Sequence, residues 1–213
     1  MIREDLANLR RDYASTTLEE ATAAGDPLDQ FRKWVSDAIH AEVLDPNAMT
    51  LATCGSDGLP SARIVLLKYY GDEGFTFFTN YTSKKGRELE ENPKAALHFF
   101  WPELHRQILI QGSVTKFDKA AGDEYFHSRP VDSQVGAWAS HQSSVVDSRD
   151  VLDKRFAELQ AEFGDNVPTP DFWGGYTVKP DCFEFWQGRV SRLHDRLVYT
   201  RSGESWEIKR LAP

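Results

Sequence analysis

Only two cysteines occur in the 213 residues, Cys54 and Cys182, too few and too far apart for a disulfide scaffold or a zinc site. None of the six histidines falls in an HExxH or other metal-ligand spacing, so no metal is expected. No GxGxxG follows a strand pattern and there is no P-loop, which leaves a dinucleotide-binding doubly wound sheet and an NTPase without support. No apolar run approaches a membrane span, and the charged start MIREDLANLRRDY has no apolar signal-peptide core. Cations are scarce too. With 25 Lys and Arg against 33 Asp and Glu, the net charge of -8 is the wrong balance for a nucleic-acid binder. A soluble, reducing, cytoplasmic setting without membrane or nucleic-acid partners is the expectation, and any anion site must be a local gathering of Lys and Arg. Internal repeats and low-complexity tracts are absent.

What the chain does have is aromatic surface, with six Trp and thirteen Phe, and length enough for a sizeable core. Residues 1–25 read as a flexible N-terminal segment, with a short helix possible over 4–13 and a polar, Gly-terminated linker after it. A single domain over 26–213 follows. Asp26-Pro27 supplies an N-cap and an N1 proline for a helix whose Leu28, Phe31, Val35 and Ile39 share a face, ending at Asp45-Pro46. From Ala48 the period becomes that of strands. AMTLATC and PSARIVLLKYY flank a turn at Ser56-Asp57-Gly58, and FTFFTN follows Gly71–Gly74. Thr82 or Ser83 caps the helix SKKGRELEEN. KAALHFFW and HRQILIQGSVTKF are strands, and Ser148 to Phe163 is an amphipathic helix with Val151, Leu152, Phe156, Leu159 and Phe163 inward. GYTVK, CFEFWQG, RLHDRLVYT and SWEIKRL close the chain as strands. The pattern predicts a mainly β, antiparallel barrel with covering helices.

Four clusters could carry chemistry. YFHSRPVDSQVGAWASHQSS, from Tyr125 to Ser144, reads as two short helices meeting at Arg129, because Pro130 cannot continue the first but suits the start of a second. Unpaired N–H groups at that start, beside Arg129 and the hydroxyls of Tyr125 and Ser133, suit a phosphate; a surface hairpin with an exposed Arg is the alternative. RIVLLK brackets four aliphatic residues with Arg63 and Lys68, which on a regular strand face opposite sides. Either a bulge intervenes, or the two cations serve different ligands, or both simply snorkel at the surface. TSKKGR places Lys84 and Lys85 in a helix's first turn, against the macrodipole, a conflict that a bound anion relieves. In FWQGRVSRLHDR, Arg192, His194 and Arg196 alternate, so on a strand they share one face, with Trp186 upstream. Three potential cations in a row point to an anion or an electron-rich ring above them.

With these motifs assembled, the chain resembles the pyridoxine/pyridoxamine 5′-phosphate oxidase family. RIVLLK, YFHSRPxxSQxGAW, QSS, FWGG, FWQG and RLHDR-to-RLAP stand in one order over nearly the whole chain. The resemblance implies an FMN-binding split β-barrel, antiparallel and Greek-key-like, that forms a homodimer with its cofactors at the subunit interface. It implies that Arg63, Lys84 and Lys85 hold the FMN phosphate and that Ile64, Val65, Leu66, Leu67 and Lys68 line the flavin ring. Phe78, Thr79, Gln107, Gln142, Ser143, Trp186 and Arg196 complete that site. Lys68, Tyr125, Arg129 and Ser133 would grip the substrate phosphate, with Arg192, Leu193 and His194 over the pyridine ring as the catalytic face. Arg10, Arg11, Asp12 and Tyr13 match an N-terminal segment that folds over substrate. The implied reaction makes pyridoxal 5′-phosphate from pyridoxine or pyridoxamine 5′-phosphate with O2 as acceptor and H2O2 as product. The chain departs from the pattern at Lys84, where Arg is common, at Phe78, where Tyr is common, at His141 in place of Lys, and in the loop Gly188 to Ser191. Another split-barrel flavin or deazaflavin reductase would not need the YFHSRPxxS cluster. A non-catalytic flavin or pyridoxal-phosphate carrier could lose Arg192 or His194.

Overall fold

The computed structural model describes residues 16–213; the expected substrate contacts at Arg10, Arg11, Asp12 and Tyr13 lie outside the described residues. The described residues form five helices and nine strands in the order α1 (Pro27–His40), β1 (Ala48–Cys54), β2 (Pro60–Leu66), β3 (Tyr69–Gly71), β4 (Gly74–Asn80), α2 (Lys84–Glu91), β5 (Lys94–Trp101), β6 (Arg106–Lys116), α3 (Lys119–Ser128), α4 (Val131–Ala139), α5 (Arg149–Phe163), β7 (Trp173–Gln187), β8 (Asp195–Ser202) and β9 (Ser205–Arg210). Backbone pairing runs β2-β1-β5-β6-β7-β4-β3, with β8 on β7 and β9 on β8. The hairpins β1–β2, β3–β4 and β8–β9 are antiparallel, as are β4–β7 and β7–β8. The chain is thus mainly β with covering helices. Two compact units divide it. One holds His98–Ile110, Cys182–Pro213 and the residues up to Pro46; the other holds Asn47–Leu97 and Gln111–Asp181.

In the first unit α1 starts as its sequence dictates, with the Asp26 side chain accepting from the Leu28 N–H and proline at N1. It stops at His40, short of the expected Asp45-Pro46, because the Ala41 N–H closes back onto Asp37 and Ile39 and Glu42 adopts a left-handed φ of 52°. Its buried face is Leu28, Phe31, Trp34 and Ala38, while Ile39 is 58% exposed. The expected face is thereby rotated toward Trp34, which offers more apolar area than Val35 or Ile39. Trp34 packs edge-on against Phe185, Phe31 against Phe99, and the Arg106 guanidinium lies 4.5 Å over the Trp34 ring. Residues 16–25 do not behave as a loose linker. Leu18 is buried, its N–H donates to Asp195, Arg210 binds Glu19, Glu20 and the Leu18 carbonyl, and the Tyr199 hydroxyl donates to the Ala24 carbonyl. Polar composition concealed this, because the partners are charged groups far away in sequence.

Three strand boundaries differ from expectation. PSARIVLLKYY is not one strand: the Leu67 N–H bonds to Asn47, but the Lys68 N–H bonds to Thr76 of β4, so the chain changes partner there. GYTVK and CFEFWQG are a single strand, β7, running through Pro180. RLHDRLVYT begins only at Asp195, since Val190–Arg192 is a 3-10 turn with Ser191 and Arg192 at φ of 58° and 61°. Arg192 and His194 therefore do not share a strand face with Arg196.

In the second unit α5 covers a small core of Phe126, Val135 and Val167 with Phe156, Leu159 and Phe163, while Val151 is exposed. The close packing beside Pro180 is a backbone matter. A Cβ on Gly112 would lie 1.9 Å from the Lys179 carbonyl oxygen. Gly112→Ala is expected to lower stability by about 1–3 kcal/mol, read from the urea midpoint at unchanged slope. A midpoint equal to the parent's would contradict this account of the packing.

Candidate functional site

A cavity of about 590 Å³ opens in the second unit. The partner change at Lys68 matters first. Arg63 lies on β2 and Lys68 beyond its end, so both line the cavity with Ile64, Val65 and Leu66 between them, and the parity of a regular strand no longer separates them. Leu67 is buried and outside the lining.

One wall carries cations. Arg63 donates to Thr53 Oγ1 at 2.5 Å, Ser61 Oγ at 2.5 Å, the Leu51 carbonyl and Glu88 Oε2 at 3.1 Å. Lys85 Nζ donates to Gln142 Oε1 at 2.6 Å, Thr79 Oγ1 at 3.1 Å and Ser83 Oγ at 3.3 Å. Ser83 is the N-cap of α2, as its type suits, accepting from the Gly86 N–H. Ser143, held at φ 73°, accepts from the Lys84 N–H at 3.1 Å. Burial, helped by the Arg63 charge and opposed by Glu88, brings the Lys85 ammonium down to about 8. Desolvation pushes Glu88 up, but hydrogen bonds from Lys84, Thr53, Ser61 and Arg63 outweigh it and hold the carboxyl near 2.

The other wall is aromatic and ends in an arginine. Phe78 stacks on Tyr125 with centroids 4.1 Å apart and on Trp173 at 5.2 Å. The phenyl ring of Phe78 therefore serves as a stacking surface, a role that needs no hydroxyl. Arg129 is the C-cap of α3, one residue before Pro130, which caps α4. This is the helix junction that the proline predicts, with Ser133 in the first turn of α4. The Arg129 guanidinium lies 5.0 Å over Trp173 and 5.3 Å over Phe126, and its Nη2 donates to the Ser133 carbonyl at 2.6 Å. Its Nη1 is buried without a hydrogen-bond partner. Burial lowers the guanidinium's affinity for its proton, partly offset by Tyr125. A buried N–H donor left unpaired is costly unless a ligand takes it. Tyr125, Arg129 and Ser133 all line the cavity.

Lys84 and Ser143 are not among the lining residues. Asn80, Gly136, Ala137, Ser140 and Trp173 do line it and were missed in the sequence. The FWGG motif holds Trp173, and its aromatic ring was the available signal. Arg155 Nη1 donates to His141 Nε2 at 2.7 Å.

Gln107, Trp186, Arg192, Leu193, His194 and Arg196 belong to the first unit. Gln107 meets His98 at 2.9 Å, and Arg196 makes a two-pronged pair with Glu184 at 2.8 and 3.0 Å. The rings of Trp186 and His194 are 4.5 Å apart. His194 Nδ1 accepts the Arg189 N–H at 3.0 Å, so its neutral ring carries the proton on Nε2. Burial, then the Arg192 charge, lower its pKa against the pull of Asp195. Leu193 is 71% exposed and Arg192 is exposed. The left-handed Ser191 and Arg192 store local strain, a feature that recurs at ligand sites.

Strand order and helix placement define a split-barrel protein, and comparison with known proteins defines the family. Residues 35–163 match the family model for pyridoxamine 5′-phosphate oxidase, and 173–213 match that for the pyridoxine 5′-phosphate oxidase C-terminal dimerisation region. The pyridoxine/pyridoxamine 5′-phosphate oxidase of Thermosynechococcus vestitus is 56% identical over 208 residues, covering 98% of this chain and 99% of that one. That of Burkholderia vietnamiensis is 53% identical over 211 residues, with the same coverage. The crystal structure of PhzG from Burkholderia lata 383, in complex with tetrahydrophenazine-1-carboxylic acid, superposes with a TM-score of 0.89 at 34% identity, covering 95% of this chain and all of that one. The chain belongs to the pyridoxine/pyridoxamine 5′-phosphate oxidase family, a family of oxidoreductases. Among the described residues no helix is long and apolar enough to cross a membrane, and no cluster of His, Cys, Asp and Glu could hold a metal.

The cation wall makes a prediction with a definite sign. An anion beside Lys85 raises its pKa above the free value of about 8, so binding takes up a proton once the pH passes that value. Sulfate, doubly charged throughout this range, is expected to bind with level affinity near neutrality and to weaken above about pH 8, by at most about tenfold per unit. Calorimetric titration measures this; affinity unchanged up to about pH 9.5 contradicts a role for Lys85.

Proposed function

We propose that the protein oxidises pyridoxamine 5′-phosphate and pyridoxine 5′-phosphate to pyridoxal 5′-phosphate, using FMN. The observation that carries this reading is the buried, unpaired Arg129 Nη1 in the cavity that also holds Arg63 and Lys85. Two cationic groups in one aromatic-walled cavity suit two phosphate esters, one of the cofactor and one of the substrate. Bound FMN would supply the redox chemistry, a two-electron oxidation of the substrate at C4′ coupled to reduction of O2 to H2O2.

The chain's part is to bind, orient and exclude water. Arg63, Lys84 and Lys85 hold the cofactor phosphate. Ile64, Val65, Leu66 and Lys68 with Phe78, Thr79 and Gln142 line its ring site. Family membership supports adding Leu67, Ser143, Gln107, Trp186 and Arg196. Arg129, Tyr125, Ser133 and Lys68 hold the substrate phosphate, fixing C4′ against the ring, since orientation is worth several orders of magnitude in rate. Arg192, Leu193 and His194 face the pyridine, again on family grounds. Arg192 orients the C4′ substituent through its planar guanidinium. With Nδ1 occupied, neutral His194 serves the ring's 3-hydroxyl as a donor through Nε2 and not as the base.

A second reading has one observation in its favour, the likeness to PhzG. Its co-crystallised compound carries a carboxylate and no phosphate, so the Arg129 group separates the two readings. Arg129→Ala is expected to weaken pyridoxamine 5′-phosphate by about ten- to a hundredfold while leaving FMN affinity unchanged. Steady-state kinetics with the phosphorylated and unphosphorylated amines decides it. Equal losses for both would remove Arg129 as a phosphate anchor.

The active unit is proposed to be a homodimer. The matched dimerisation region and the exposed Ile64 and Leu66 of β2 support this. Sedimentation equilibrium is expected to give twice the chain mass, and a monomer retaining FMN and full turnover would sink the dimer.

A further inference from the structure

Lys84 is out of place for a phosphate ligand. Its ammonium is turned along α2 onto Glu88, four residues on, and it does not line the cavity that Arg63 and Lys85 line. Glu88 is the centre of this arrangement. Its side chain is 9% exposed, against 53% for Lys84. Besides Lys84 it accepts from Thr53 Oγ1 at 2.6 Å, from Ser61 Oγ at 2.7 and 2.8 Å and from Arg63 Nη2 at 3.1 Å. A carboxylate ringed by an arginine, a lysine and two hydroxyls has the surroundings that a phosphate oxygen would choose. The other charges on α2 are Lys85, Arg87, Glu90 and Glu91; Arg87 donates to the Thr82 carbonyl, Glu90 pairs with Lys116, and Glu91 is occupied with the N–H and hydroxyl of Ser56.

We propose that Glu88 is a resident counter-anion of the cation wall, which holds Lys84 away from the cavity until a phosphate ester takes that cation over. This rests on reading the cavity as a phosphate-ester site. Arg63, fixed by five acceptors on four residues and 20% exposed, stays where it is; the exposed Lys84 is the group that moves. Glu88 thereby keeps three like charges together in the unliganded protein, and it also competes with the ligand for one of them. With Glu88 charged, the wall carries two net positive charges, the complement of one phosphate dianion.

Glu88→Gln tests this, since the amide keeps an acceptor for Arg63, Thr53 and Ser61 but has no charge to hold Lys84. FMN affinity, followed by quenching of flavin fluorescence, is expected to tighten about three- to tenfold, while the unliganded variant melts at a lower temperature than the parent. In a Lys84→Gln background the same substitution is expected to change affinity by about twofold or less, because the contested cation is gone. Unchanged or weakened FMN binding by Glu88→Gln, or an equal gain with Lys84 absent, overturns the proposal. Should the variant not fold, lysine-selective 13C NMR of the parent protein serves instead. The Lys84 Cε resonance is expected to shift on adding FMN, and a stationary resonance overturns the idea. If the parent protein does not bind FMN at all, the underlying reading of the cavity fails; if it binds but Glu88→Gln is without effect, only the role of Glu88 does.

Discussion

Crowding of like charge is the constraint on which the second unit's site depends. Arg63 on β2 and Lys84 and Lys85 at the start of α2 repel one another, and two of them also oppose the helix dipole. Their proximity is tolerable because Glu88 accepts from Arg63 and Lys84 while Gln142, Thr79 and Ser83 accept from Lys85. Burial first, and then the Arg63 charge, still lower the pKa of the Lys85 ammonium, and Glu88 offsets them only in part. An unliganded wall of this kind is stable enough to fold and still short of negative charge, which is the condition for binding an anion.

Arg129 meets the same problem in a different way. Instead of a carboxylate, it has two aromatic faces, Phe126 and Trp173, and one backbone carbonyl. Cation–π contacts leave the guanidinium its hydrogen-bonding plane, so one donor remains unspent. On the proposed reading the first wall passes a cation from a resident carboxylate to its ligand, and the second satisfies a donor that had no partner. Trp173, which stacks with Phe78 and supports Arg129, links the flat surface of the cavity to its anion contacts.

Much of this was legible in the sequence. Ser83 and Pro130 placed two helix starts, because capping and missing N–H groups act locally. The hairpin turns at Ser56-Asp57-Gly58 and Gly71–Gly74 were likewise readable from composition. What failed depended on distant partners. Lys68 leaves one strand partner for another, which no local period records. Pro180 sits within a strand because Gly112 permits close approach, and Arg192 is held in a left-handed turn where alternation suggested a strand. Residues 16–25 read as a loose linker because the charges that fasten them, Asp195 and Arg210, are far along the chain. Among site residues, motifs named Arg63, Lys85, Tyr125, Arg129 and Ser133, all of which line one cavity. They did not show that Lys84 is committed to Glu88.

The central claim is that one cavity presents a phosphate-anchored substrate to a phosphate-anchored flavin. Its most direct test is anaerobic mixing of the FMN-loaded protein with pyridoxamine 5′-phosphate, and in parallel with unphosphorylated pyridoxamine at the same concentration, while flavin absorbance is followed. The account predicts that the phosphorylated amine bleaches the flavin rapidly, that the unphosphorylated amine does so far more slowly, and that admitting O2 restores the colour with release of peroxide. Flavin that stays oxidised with the phosphorylated amine would contradict it.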